Sequence, residues 1–137
     1  MLGLAAPFGF QRHAHHWLAV ARGLHADQAG GREKIELARD AHLHTVRALE
    51  LDSLHAGANH ILGRLHSGTL RLSWVSRMFG RMLGLGEIMN EASWESAESR
   101  MRFAAAAEPD MLVYQVELAH LLVRIDREDE GWALMQS

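Results

Sequence analysis

Apolar residues along this chain recur at spacings of three and four, the period of a helix with one buried face, and not at the alternation of a strand. β-Branched residues are few and nowhere alternate with polar ones over a useful length, so no strand is expected. The periodicity predicts helices over 11–28, 32–51, 55–68, 73–83, 94–107, 111–125 and 128–136. Their boundaries coincide with start and stop residues: Gly30 and Gly31, Asp52 and Ser53, Gly84 to Gly86, Ser93, Pro109, and Asp126 with Asp129 three residues on. Ser93 is placed as an N-cap, because a hydroxyl there accepts a hydrogen bond from one of the helix's first free amides. The expected fold is all-α, built from short antiparallel helices.

Composition narrows the class without naming a function. The 137 residues are 48% apolar and contain no cysteine and two prolines, the profile of a single domain over 1–137. A chain of this size buries roughly two-thirds of its unfolded surface, so neither disulfide nor structural metal is needed to hold it. The absence of cysteine removes thiol catalysis and zinc ribbons. A net charge of -3 argues against nucleic acid as a partner, and no apolar run reaches the ~18 residues that span a bilayer. Met1 to Phe10 is apolar but lacks a basic n-region and a cleavage pattern, which makes it a poor signal peptide. The expected compartment is the cytoplasm for the chain as written, and export if the natural protein begins upstream.

Charge is unevenly placed. Residues 1–52 carry six acids and six bases, 53–86 no acid and four arginines (Arg64, Arg71, Arg77, Arg81), and 87–137 eleven acids and four bases. Two readings stay open: the basic middle packs beside the acidic end and cancels it, or it forms a basic face for an acidic partner or a lipid headgroup.

Self-comparison exposes a repeat. A shift of 56 residues superposes Ala41 on Ala97, Ala48 on Ala104, Gly63 on Ala119 and Ser53 on Pro109. The tetratricopeptide pattern, a helix pair of about 34 residues, asks for small residues at its positions 8, 20 and 27 and a proline near 32. Gly63 and Ala119 then stand at position 8, Ala41 and Ala97 at 20, Ala48 and Ala104 at 27, and Pro109 at 32. About 22 residues are inserted between Gly63 and Ala97, and about ten around Gln28 to Glu36, relative to that pattern. The third unit fits through Ala119, Gly131 and Met135 and stops before position 27, as in an array cut short. The expectation is a tetratricopeptide-like right-handed superhelix of about three helix pairs, with an inserted helix in the second.

These residues resemble the tetratricopeptide-like domain of the regulator of microtubule dynamics family, including its bacterial members. The carrying segments are Trp17-Leu18-Ala19, Gly31-Arg32-Glu33-Lys34, Glu36-Leu37-Ala38-Arg39, Ala48-Leu49-Glu50-Leu51-Asp52, Ala56 to Arg64, Leu72-Ser73-Trp74 and Ala92 to Ala97. The likeness runs from Trp17 through Leu122, and the two insertions make it more specific than the small residues alone. Family members usually have more sequence before this region and a complete last repeat, so the resemblance implies a truncated member; Ser53 stands where their repeat usually has proline. It further implies a non-enzymatic adaptor. Eukaryotic relatives are associated with microtubules and organelle contact sites, where a related domain is similar to a lipid-binding groove, and many bacterial relatives are exported.

Ten histidines invite a metal reading. His13 and His16 are one turn apart, and Glu36, Asp40 and His44 follow at successive fours, but no HExxH occurs and His42 with His44 diverge on a helix. Structural or solvated histidines are the expectation, with no metal and no cofactor. No Gly-x-Ser-x-Gly elbow and no glycine loop followed by lysine is present, and Asp126 to Glu130 lack the spaced ligands of a calcium loop. The chain is expected not to be an enzyme.

What remains is a surface. In the family's stacked pairs the first helices line a concave groove, and the resemblance carries that onto His13, His16, His60, Arg64, His120 and Arg124, among Val20, Val113, Val116 and Val123. The expected partner-binding set is His16, His60, Arg64, His120 and Arg124, an apolar groove with a cationic lining suited to an acidic protein or peptide. A lipid or small hydrophobic ligand carried in the same groove is the alternative, and histidines bonded within the superhelix the plainer one. Leu70 to Leu85 reads as a basic amphipathic helix that suits a membrane or partner helix, yet is expected to fold back over the core because Trp74 and Phe79 are large enough to need burial. Trp132, Leu134 and Met135 on the last half-repeat are expected to drive homodimerisation.

Overall fold

The segment from Ala56 to Leu70 has a single full charge in fifteen residues and, apart from Asn59, His60 and His66, is otherwise apolar or small, the composition of a helix surrounded by others. The computed structural model, which describes residues 14–20 and 31–136, makes it the central element. The described helices are α1 (14–20), α2 (Gly31–Leu51), α3 (Ala56–Leu70), α4 (Trp74–Met82), α5 (Gly86–Glu91), α6 (Trp94–Ala107), α7 (Leu112–Arg124) and α8 (Glu128–Gln136). No strand occurs among the described residues, in agreement with the all-α expectation. Within the 11–28 helix expectation, 11–13 and 21–28 lie outside the described residues, as do His13, Gly30 and Met1 to Phe10.

Packing follows chain order with one detour. α2 packs on α3, α3 on α6, α6 on α7 and α7 on α8, while α5 packs on α3 and α4 on α5. Residues 71–93 therefore leave the stack after α3 and return to it at α6. Small residues set the crossings: a β-carbon on Gly63 would stand 3.0 Å from the Ala97 carbonyl oxygen, and one on Gly131 3.0 Å from that of Ala119. The core is correspondingly rich in alanine, with Ala41, Ala48, Ala58, Ala97 and Ala104 fully enclosed. Met101, Leu118, Leu121 and Leu122 form its aliphatic centre, covered at the side by Trp94, Ile125 and Leu134.

Local signals explain the ends. Ser93 caps α6 by accepting from the Ser96 amide at 3.0 Å, as expected, and Ser73 caps α4 in the same way. α3 is capped by His55, whose Nδ1 accepts from the Ala58 amide at 3.2 Å, while Asp52 accepts from the Leu54 amide in the turn before it. α4 stops where Gly84 adopts φ +103° and the Leu85 amide returns to the Gly80 carbonyl at 2.8 Å. α7 stops likewise, with the Arg127 amide on the Leu122 carbonyl at 2.8 Å and Asp126 at φ 63°. Asp126 thus ends α7 in the left-handed region and does not start α8. Outside the core, Glu98 of α6 accepts from Arg102 and Arg127, and Glu130 of α8 accepts from the same two arginines, tying α6 to the last helix.

Two expectations need correction. Between the expected helices 73–83 and 94–107 the chain is no plain connection, because Gly86 opens α5, and Ile88 with the preceding Leu85 is almost wholly buried. The inserted helix also does not fold its large side chains inward: Trp74 is 74% and Phe79 55% exposed. Its only buried residue is Gly80, set against Met89 and Leu85, so α4 docks by its one side-chain-free position and turns its apolar side away.

Candidate functional site

Histidines mark the faces of the central helix. The His16 ring of α1 lies on Gly57 of α3, where a β-carbon would stand 2.2 Å from it, and its centroid is 4.7 Å from that of His55. His15 Nδ1 meets His44 Nδ1 of α2 at 3.1 Å, so one ring donates and the other accepts. His60 lies against Tyr114 of α7 with centroids 4.5 Å apart. His66 bonds Ser96 of α6 through Nδ1 at 3.0 Å. Burial, then the charge of Arg64 and of His16, pushes His60 down to about 4. Burial, then Arg100 and His42, does the same to His66, also to about 4. These imidazoles are neutral near neutrality and act as packing groups. Among the described residues no three of His, Asp or Glu come together in a way that would hold a metal ion.

The cationic groups gather elsewhere. A half-open cleft of about 890 Å³ lies between α3, α7 and α8. Arg64 on α3 and Arg71 at its C-cap are two turns apart, and His120 and Arg124 are one turn apart on α7, so each pair shares a face. α8 contributes Trp132 and Met135, again one turn apart and 63% and 50% exposed. Glu117 is the one acid among the lining residues, against three arginines, and stands 3.8 Å from Arg64. With both side chains about one-third exposed, that pair is a weak contact. Met101, Leu121 and Val123 supply an apolar floor. Chemically the cleft offers forked donors above apolar surface, with an aromatic ring at its edge.

The sequence model of a family described as regulator of microtubule dynamics protein 1-3 matches residues 10–137. The chain belongs to the regulator of microtubule dynamics family. No curated protein and no solved structure matches it. Membership points to a non-catalytic, regulatory or adaptor role.

In this member of the regulator of microtubule dynamics family, three of the five expected partner-binding residues come together in the cleft: Arg64, His120 and Arg124. The other two do not join them, since His16 and His60 are 8% and 4% exposed and pack against Gly57 and Tyr114. Arg71, Ser67, Trp132 and Met135 line the cleft without having been singled out for it. Arg71 was readable from its two-turn spacing to Arg64. The α8 residues were not, because their place depends on how α8 returns over α7.

Proposed function

We propose that the chain is a non-catalytic helical-repeat adaptor whose α3–α7–α8 cleft holds an acidic segment of a protein partner. The observation that carries this is the convergence of Arg64, Arg71, His120 and Arg124 around an apolar floor edged by Trp132. Arginine forks bind carboxylates in two-point geometry, and an exposed indole gives an apolar side chain of the segment a place to anchor. The finer architecture is a tetratricopeptide-like right-handed stack of helix pairs. The close crossings of Gly63 on Ala97 and Ala119 on Gly131 support it, since both pair repeat position 8 with position 20.

The test is fluorescence anisotropy with labelled acidic and neutral peptides, each carrying one aromatic residue. The acidic peptide binds, salt weakens it, and Arg64→Glu with Arg124→Glu removes the binding. Equal affinity for both peptides would refute the reading. A second reading rests on the apolar floor of Met101, Leu121 and Val123: an anionic amphiphile carried in the same cleft. Native mass spectrometry of the purified protein separates the two, because a carrier retains a stoichiometric small ligand and an adaptor does not.

A further inference from the structure

The segment after α3 reads Leu72-Ser73-Trp74-Val75-Ser76-Arg77-Met78-Phe79-Gly80-Arg81-Met82, and its helix is almost all surface. At 3.6 residues per turn, positions 74, 75, 78, 79 and 82 fall in one stripe and Gly80 falls opposite it. The structure agrees: Trp74, Val75, Met78, Phe79 and Met82 are all exposed, while Gly80 is buried against α5. Arg77 and Arg81, one turn apart, follow a single border of the stripe. They bond neutral acceptors, the Leu70 carbonyl at 3.0 Å and the Asn90 side-chain oxygen at 3.3 Å, which leaves their charge uncancelled. Residues 53–86 contain no acid at all. The acids of neighbouring α5, Glu87 and Glu91, lie toward His42 of α2, with Glu91 3.8 Å from its ring.

We propose that α4 is an interfacial docking helix that lies flat on a bilayer bearing anionic lipids. Its apolar stripe enters the boundary between headgroups and acyl chains, with Met78, Met82 and Val75 along its middle and the rings of Trp74 and Phe79 along its two edges, and Arg77 and Arg81 sit among the lipid phosphates. The geometry suits a plane, because the stripe faces away from the body of the protein and the cations flank it. No described helix is long and apolar enough to cross a membrane, and α4, roughly 14 Å long, rests in one leaflet. Charge selects this occupant over a second copy, since a second α4 offers Arg77 and Arg81 no acid in either orientation and, when antiparallel, sets its own arginines against them. The site is distinct from the α3–α7–α8 cleft and does not depend on what that cleft holds.

The experiment is co-sedimentation of the full chain with vesicles of phosphatidylcholine alone and with phosphatidylserine added. The chain pellets with the mixed vesicles and not with the neutral ones, and Trp74→Ala with Phe79→Ala abolishes pelleting. Arg77→Gln and Arg81→Gln each weaken it about fivefold at low salt. These side chains are exposed, so each variant keeps the parent's circular dichroism and melting curve. Arg64→Glu with Arg124→Glu, which acts on the cleft, leaves pelleting in place. Equal pelleting with both vesicle types, or loss only in the cleft variant, overturns the proposal. Absence of pelleting together with a dimer that Trp74→Ala dissolves also overturns it and assigns the stripe to a second copy.

Discussion

Gly63 crosses Ala97 so closely that α3 and α6 have no room for a methyl group between them: a β-carbon on the glycine would stand 3.0 Å from the alanine carbonyl and 2.6 Å from Met101 Cγ. Backbone cannot give way as a flexible side chain can. Gly63→Ala is expected to cost roughly 1–3 kcal/mol despite alanine's better helix propensity. Gly68, on the same helix, is the control. Only Arg71 Nη2, at 3.9 Å, approaches a β-carbon there, so Gly68→Ala is expected to gain about 0.5–1 kcal/mol. Urea denaturation of both variants checks the pair, and equal effects would show that the crossing is not tight.

Acid should loosen the fold before the carboxylates titrate. His60 and His66 are held near 4 in the folded chain against 6.5 when solvated, so between these values the unfolded chain binds more protons. Stability therefore falls as pH drops from 6.5 to 4, each histidine withdrawing on the order of 3 kcal/mol over that window. His15 and His42, both lowered by burial, act with the same sign. Denaturation midpoints measured from about pH 7 to pH 5 should decline, and His60→Phe, which keeps a ring against Tyr114, should flatten the decline. A midpoint independent of pH across this range would contradict it.

Asp126 occupies a position at φ 63° that closes α7, with both returning hydrogen bonds of the helix end in place. Glycine enters this region without the β-carbon clash. Asp126→Gly is expected to stabilise by roughly 0.5–1 kcal/mol, read as a higher melting temperature. A loss of stability instead would mean that the carboxylate holds a partner.

Trp132 and Met135 leave α8 with an exposed apolar edge. Sedimentation velocity over a wide concentration range is expected to show a dimer that Trp132→Ser weakens at least tenfold. A chain that stays monomeric at the highest concentration would rule this self-association out.

Much of this architecture was legible before the structure, and the reasons are specific. The positions of α2, α3, α4, α6, α7 and α8 followed from periodicity, while α5, only six residues long, did not, and Ser93 and Gly84 followed from the chemistry of helix ends. The crossings at Gly63 and Gly131 were visible as small residues at a fixed offset, because close approach restricts the residue type whatever the surroundings. The orientation of α4 was not legible. An amphipathic pattern says that a helix has an apolar side but not what lies against it, and here one glycine decided which side met the protein. The places of His16 and His60 were not legible for a related reason, since a polar ring on the inner side of a helix fits a groove wall and an interhelical contact equally well. His16 could be reassigned only once its ring was seen over Gly57.

α3 and α6 pack on each other while residues 71–93 run out and back between them. The cost of closing such an excursion grows only with the logarithm of its length, and the one buried residue of α4, Gly80, meets Leu85 and Met89 of the returning segment. The excursion's outer helix, α4, is therefore an exchangeable part, whereas α5 is bound into the core by Leu85 and Ile88. The surface residues of α4 can be recharged or replaced without renegotiating the α3–α6 seam, so this helix is free to change faster than the frame that carries it.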